Sequence, residues 1–267
     1  MDGAERTGYG WGGKMSGVGT WAWAEATHGQ MRRRDRAELL RQGILARISR
    51  MPSQWRSGLL GERASLTLPD PPDSKLAREA EEVVCELSSP ALHGHCLRTW
   101  AFAELFAQRD RTDHDAELLY LACLLHDLGL THEHDGRDLT AACFAVEGAR
   151  AAQAFLRSHG VPDERARTVA EAISLHLNVT VPARLGIEAH LLSKGVSLDV
   201  VGRRMHQISP AVTTIVEERW PREGFAAELT TLTTRQAKIR PQSRSALLHR
   251  LGFVGLINGN PLDRQGA

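Results

Sequence analysis

Apolar side chains recur three and four positions apart through most of the chain, the spacing of a buried helical face, and no stretch alternates with period two over strand length. The clearest run is Leu118-Leu119-Tyr120-Leu121-Ala122-Cys123-Leu124-Leu125, closed by His126-Asp127-Leu128-Gly129. Leu118, Leu121, Ala122 and Leu125 share one face, and Gly129 stands where a helix stop is expected. The pattern predicts helices over roughly 75–87, 92–108, 115–128, 140–159, 163–177 and 187–196. Ser74 is placed to cap the first, and Gly160-Val161-Pro162-Asp163-Glu164 closes one helix and opens the next. The expected fold is an all-α helical bundle with an N-terminal extension. Leu68-Pro69-Asp70-Pro71-Pro72-Asp73-Ser74 breaks the chain into a leader and helical extension over 1–67 and a main domain over 68–267. Met1 to about Gly19, rich in glycine and without period, reads as a mobile leader, with Met15 as an alternative start; Trp21 and Trp23 read as packing residues.

With 267 residues the chain can bury a substantial core. Lys and Arg number 33 against 32 Asp and Glu, so no global field argues for nucleic acid, and a small-molecule substrate is expected. Arg32-Arg33-Arg34 reads as a solvated helix start. No apolar run is long enough to span a bilayer, and the N-terminus lacks the order of a secretory signal, so a cytoplasmic protein without a membrane partner is expected; homo-oligomer formation stays open. Cys85, Cys96, Cys123 and Cys143 read as buried, reduced thiols.

A buried helix ending in His126-Asp127 carries an imidazole and a carboxylate inward together. Burying the aspartate is costly unless its charge is compensated, and a divalent metal shared with the histidine would do so. Four positions are candidates to meet at one ion: His95, His126, Asp127 and Asp199. Two imidazoles and two carboxylates suit zinc, manganese, iron or another first-row divalent ion without naming one; zinc is the ion expected, with iron or manganese as alternatives. His93 is a fallback ligand under a different helix register. His132-Glu133-His134-Asp135 lacks the spacing that puts two imidazoles on one helical face and reads as a solvated loop, and Cys123 as a core thiol. There is no phosphate-binding glycine loop and no dinucleotide fingerprint.

His95-Cys96-Leu97-Arg98-Thr99, Leu124-Leu125-His126-Asp127-Leu128-Gly129 and Leu198-Asp199-Val200-Val201-Gly202, in that order, resemble the H…HD…D signature of the HD-domain metalloenzyme superfamily. Phe144-Ala145-Val146-Glu147-Gly148-Ala149, Glu171-Ala172-Ile173-Ser174-Leu175-His176 and Pro221-Arg222-Glu223-Gly224-Phe225 extend the likeness to its cyanamide hydratase-like branch. The resemblance implies an HD domain with a C-terminal elaboration over 68–267, and His95, His126, Asp127 and Asp199 as metal ligands. Phe144 stands where many binuclear members carry a further histidine, which argues against a di-iron oxygenase or a two-metal phosphodiesterase. His176 shares the inward face of Ala166, Val169, Ala170 and Ile173; a hydrogen-bonded core histidine is its ordinary reading, and beside such a site it becomes a candidate proton donor. Asp127 is expected to double as an acceptor for the nucleophilic water, and Arg98 is a candidate to hold an anionic ligand or pair with Asp127. The expected activity is a metal-dependent hydratase or hydrolase acting on a nitrile- or cyanamide-like C–N centre. A phosphomonoesterase using Arg98 and Lys194, and a binding module merely stapled by metal, are the alternatives.

Overall fold

Six of the helices begin where a short polar side chain accepts the backbone N–H three residues on: Thr20, Ser74, Ser89, Asp115, Ser209 and Ser243. In the computed structural model, which describes residues 17–48, 66–134 and 141–264, the helices are α1 (Trp21–Thr27), α2 (Arg33–Ile48), α3 (Lys75–Leu87), α4 (Pro90–Asp110), α5 (Ala116–Leu125), α6 (Phe144–Ser158), α7 (Asp163–Leu175), α8 (Ile187–Val201), α9 (Pro210–Arg219), α10 (Phe225–Ile239), α11 (Arg244–Arg250) and α12 (Phe253–Asn258). No strand occurs among the described residues, so the fold is all-α. None of these helices is long and apolar enough to cross a membrane.

Two boundaries differ from the sequence pattern where it matters. The helix expected over 115–128 stops at Leu125; Asp127 leaves it with φ −105° and ψ 13°, and Leu128–Leu130 form a 3₁₀ turn. That turn lies hard against the start of α6, since a Cβ on Gly129 would stand 2.0 Å from the Phe144 carbonyl oxygen. At the other site segment α8 continues past Val196 to Val201, because the stop is Gly202, left-handed at φ +65°. Asp199 therefore sits in the last turn of a helix.

α4 is buried on almost every side from Gly94 to Ala107, and α5 from Leu118 to Leu125. Against α4 lies α8. Their backbones meet where a Cβ on Gly195 would come 2.1 Å from Thr99 O, and one turn away the same register sets Asp199 beside His95. α7 packs against both α5 and α8 and carries α6 in turn, and α10 reaches α4.

Val18 to Thr20, the first two of them expected within a mobile leader, are buried instead. The reason is polar as well as apolar: Asn178 Nδ2–H donates to Val18 O at 2.7 Å, and Trp21 N–H donates to Glu171 Oε2 at 2.6 Å. Trp21 and Trp23 are core residues, as the sequence suggests. Residues 1–16, with Met15, lie outside the described residues. All four cysteines are free; Cys96, Cys123 and Cys143 are buried, whereas Cys85 is exposed on the outer face of α3.

Candidate metal centre

His126 is held by its own helix end: Nδ1 lies 2.8 Å from the Cys123 carbonyl oxygen, which can only accept. Nδ1 therefore carries the proton, and Nε2 presents a bare lone pair. His95 is arranged the same way by a partner from α8, its Nδ1 lying 2.6 Å from Asp199 Oδ2. The two Nε2 atoms face one another at 3.2 Å, and Asp127 Oδ2 lies 3.2 Å from that of His126 and 3.5 Å from that of His95. His95, His126 and Asp127 thus form a buried group of three acceptors with no hydrogen-bond donor among them.

Such a group requires a proton or a cation at its centre. Donors about 2.1 Å from one ion, at tetrahedral angles, lie about 3.4 Å apart, so the observed spacings fit a single first-row divalent ion. The titration behaviour expresses the same demand. Burial opposes charge on Asp127, yet His126, then His95 and His176, hold its carboxyl far below the carboxylate range. Burial also disfavours a cationic His126, but Asp127 beside it outweighs this and raises its proton affinity well above that of an ordinary imidazole.

Asp199, expected as the fourth ligand, is not in this group. Its Oδ2 takes His95 Nδ1 and Arg98 Nη2 (3.1 Å), while Oδ1 takes Arg98 Nε (2.9 Å) and Arg222 Nη1. All four lone-pair positions of the carboxylate are used, and two guanidinium groups neutralise it. Burial resists its ionisation, but Arg98 and Arg222 hold it ionised. Asn260 Nδ2 donates to the Asp199 carbonyl at 2.7 Å. Asp199 acts on the back of His95, the arrangement in which a carboxylate fixes the ring of a metal-binding histidine.

The expected role of Arg98 changes with it. The side chain is fully buried and bonded to Asp199 and to Pro221 O (2.7 Å), so it neither meets Asp127 nor borders the cavity. Lys194 is paired with Asp110 and lies over the Phe106 ring of α4. His93 turns towards Glu81, 3.8 Å away, and Cys123 contributes only its carbonyl. Asp135 lies outside the described residues, and no second metal-binding group occurs among those described.

A cavity of about 30 Å³, room for a water molecule or two, lies against the three donors. His176 lines it too, its Nδ1 2.6 Å from Ile173 O and its Nε2 3.8 Å from Asp127 Oδ1. The imidazole rests neutral, because burial, and next the positive charge drawn to His126, lowers its pKa to about 3. Its Nε2 is a proton acceptor. Phe225, which opens α10, stacks on His95 at 4.5 Å, and Arg222 joins the Asp199 network. Neither residue is singled out as functional by the sequence, although both lie in the Pro221–Phe225 run that carries part of the resemblance.

Residues 92–215 match the family model of the HD domain. Two cyanamide hydratases of Saccharomyces cerevisiae, DDI2 and DDI3, are each 27% identical to this chain over 184 residues, covering 67% of this chain and 80% of the yeast proteins.

Proposed function

We propose that this chain is an HD-domain enzyme of the metal-dependent hydrolase and hydratase kind, and that it adds water to a small C–N electrophile of the nitrile or cyanamide type. The substrate reading draws on the yeast relatives, and one observation in the site carries it: three lone-pair donors and His176 Nε2 converge on a small cavity whose remaining walls are mostly apolar. Zinc is the ion we assign, since two imidazoles and one carboxylate with an open position form a zinc donor set; iron and manganese accept the same donors. Bound to His95, His126 and Asp127, a divalent ion supplies Lewis acidity and makes a water acidic enough to ionise near neutral pH.

The chain's own residues do the rest. Asp199 holds the His95 ring, so that its Nε2 needs no reorganisation before it binds. Asp127 presents Oδ2 to the donor group and keeps Oδ1 on the His176 side. His176, anchored through Nδ1–H to Ile173 O, takes the proton from the attacking water at Nε2 and passes it to the substrate nitrogen. From the sequence His176 is expected as a donor; its neutral resting state makes it an acceptor first. Leu130, Phe144, Val196 and Leu229 keep bulk water from this exchange.

A phosphomonoester would need cations at the cavity, and both candidates, Arg98 and Lys194, are engaged elsewhere. Metal-loaded protein given cyanamide should release urea, and should release no phosphate from nucleoside monophosphates. Phosphate release without any hydration of cyanamide or nitriles would overturn the proposal.

A further inference from the structure

Six residues of the 30 Å³ cavity wall are shared with a neighbouring space. His176, Leu177, Val196, Val200, Leu248 and Phe253 also form the inner wall of a second, larger space of about 650 Å³, which opens to solvent between α2 on one side and α11 and α12 on the other. Its outer rim is apolar and unfinished. Ile44 of α2 is 60% exposed, Leu251, just past α11, 55%, and Leu256 of α12 50%, facing a common groove. Among the described lining residues there is no carboxylate, and the only cation is Arg203, whose guanidinium donates to Val179 O at 2.7 Å.

Cyanamide, with three heavy atoms, is hardly larger than two waters of about 30 Å³ each, so it would occupy about a tenth of this groove. The volume lies instead in the range of roughly 300–1,000 Å³ that buries a ligand of ten or more heavy atoms. A groove that meets the reaction cavity along one shared wall is placed for the part of the substrate that does not react.

Resting on the reaction assigned above, we propose that the substrate is a nitrile or monosubstituted cyanamide whose substituent is an extended, neutral, apolar group seated in this groove. The chemistry is unchanged by the substituent: the water oxygen bonds to the C≡N carbon, both its hydrogens end on nitrogen, and an amide or urea leaves with nothing oxidised or reduced. Burying the substituent covers Ile44, Leu251 and Leu256 and favours binding by about fourfold per methylene.

The test compares octanamide with acetamide, the products of a long and a short nitrile, by calorimetric titration of the metal-loaded protein. Octanamide should bind at least about a hundredfold more tightly. The double variant Ile44→Glu, Leu256→Glu, changed at two half-exposed positions remote from the metal donors, should abolish that preference and leave acetamide binding unchanged. Equal binding of the two amides, or a preference that survives the double variant, would overturn the proposal whatever turnover shows. The reaction class is read separately. Hydration of cyanamide with no gain in kcat/KM from acetonitrile to octanenitrile sinks the groove and spares the reaction, whereas tight octanamide binding with no hydration of any nitrile or cyanamide sinks the reaction and spares the groove.

Discussion

Asp199 Oδ1 and Oδ2 each accept two hydrogen bonds, three of the four coming from guanidinium groups, and this saturation decides what the residue does. A carboxylate so engaged steers a histidine more readily than it donates to a metal. Asp199→Asn should therefore lower metal affinity about 10- to 100-fold and still reach one ion per chain at saturation, measured by titration against a competing chelator. Complete loss of binding would restore Asp199 to the ligand set. His176→Gln should keep the metal and lower kcat by about 10²- to 10⁴-fold, read by metal analysis and initial rates on one preparation. His126 and Asp127 were legible in the sequence because a carboxylate carried inward at the end of an apolar run must have its charge compensated, and His95 because it stands in order with them. The facing of Asp199 and Arg98 was not. Their partnership spans 101 positions and depends on how two helices meet, which no local pattern records.

At the scale of elements, the site depends on the α4–α8 contact at Gly195. A Cβ there would stand 2.1 Å from Thr99 O, an obstacle of backbone that cannot rotate away. Gly195→Ala should cost about 1–3 kcal/mol in denaturant unfolding and, by parting the two helices, weaken metal binding. The 3.6-residue period made α3 to α8 readable, whereas α9 to α12 were not predicted from it, and neither was the end of α5. The pattern runs on through Leu128, and the chain turns at Asp127 because Gly129 must fit beneath Phe144 O. The loop before α5 supplies a pH-dependent tie. His114 Nε2 lies 2.9 Å from Glu104 Oε1 and Nδ1 3.2 Å from Thr112 O, so both nitrogens donate when the ring is charged. Burial works against the cation, but these acceptors outweigh it and raise the pKa above 6.5. A raised histidine pKa adds stability that is complete below the unfolded value and disappears as pH climbs through the folded one. His114→Gln should accordingly lower the unfolding midpoint at pH 5.5 and have little effect at pH 8; equal losses at both would mean that the charge contributes nothing.

Across the whole molecule, the catalytic interior is made by segments distant in sequence. α4, α5 and the turn after it supply the donors, α8 the orienting carboxylate, the end of α7 His176, and the Pro221–Phe225 run the stacking ring over His95. The N-terminal segment from Val18 to Met31 packs into the same core rather than hanging from it, with Trp23 on the Arg244 guanidinium at 5.1 Å. All of this chemistry requires that His95, His126 and Asp127 hold one divalent ion. Elemental analysis of the purified chain beside its Asp127→Asn variant decides this. The wild type should carry about one first-row metal ion per chain, and the variant almost none while its circular dichroism shows the same helical fold. Wild-type protein that carries no metal and takes none up on dialysis against zinc, iron or manganese, or a variant that keeps its full complement, would contradict it.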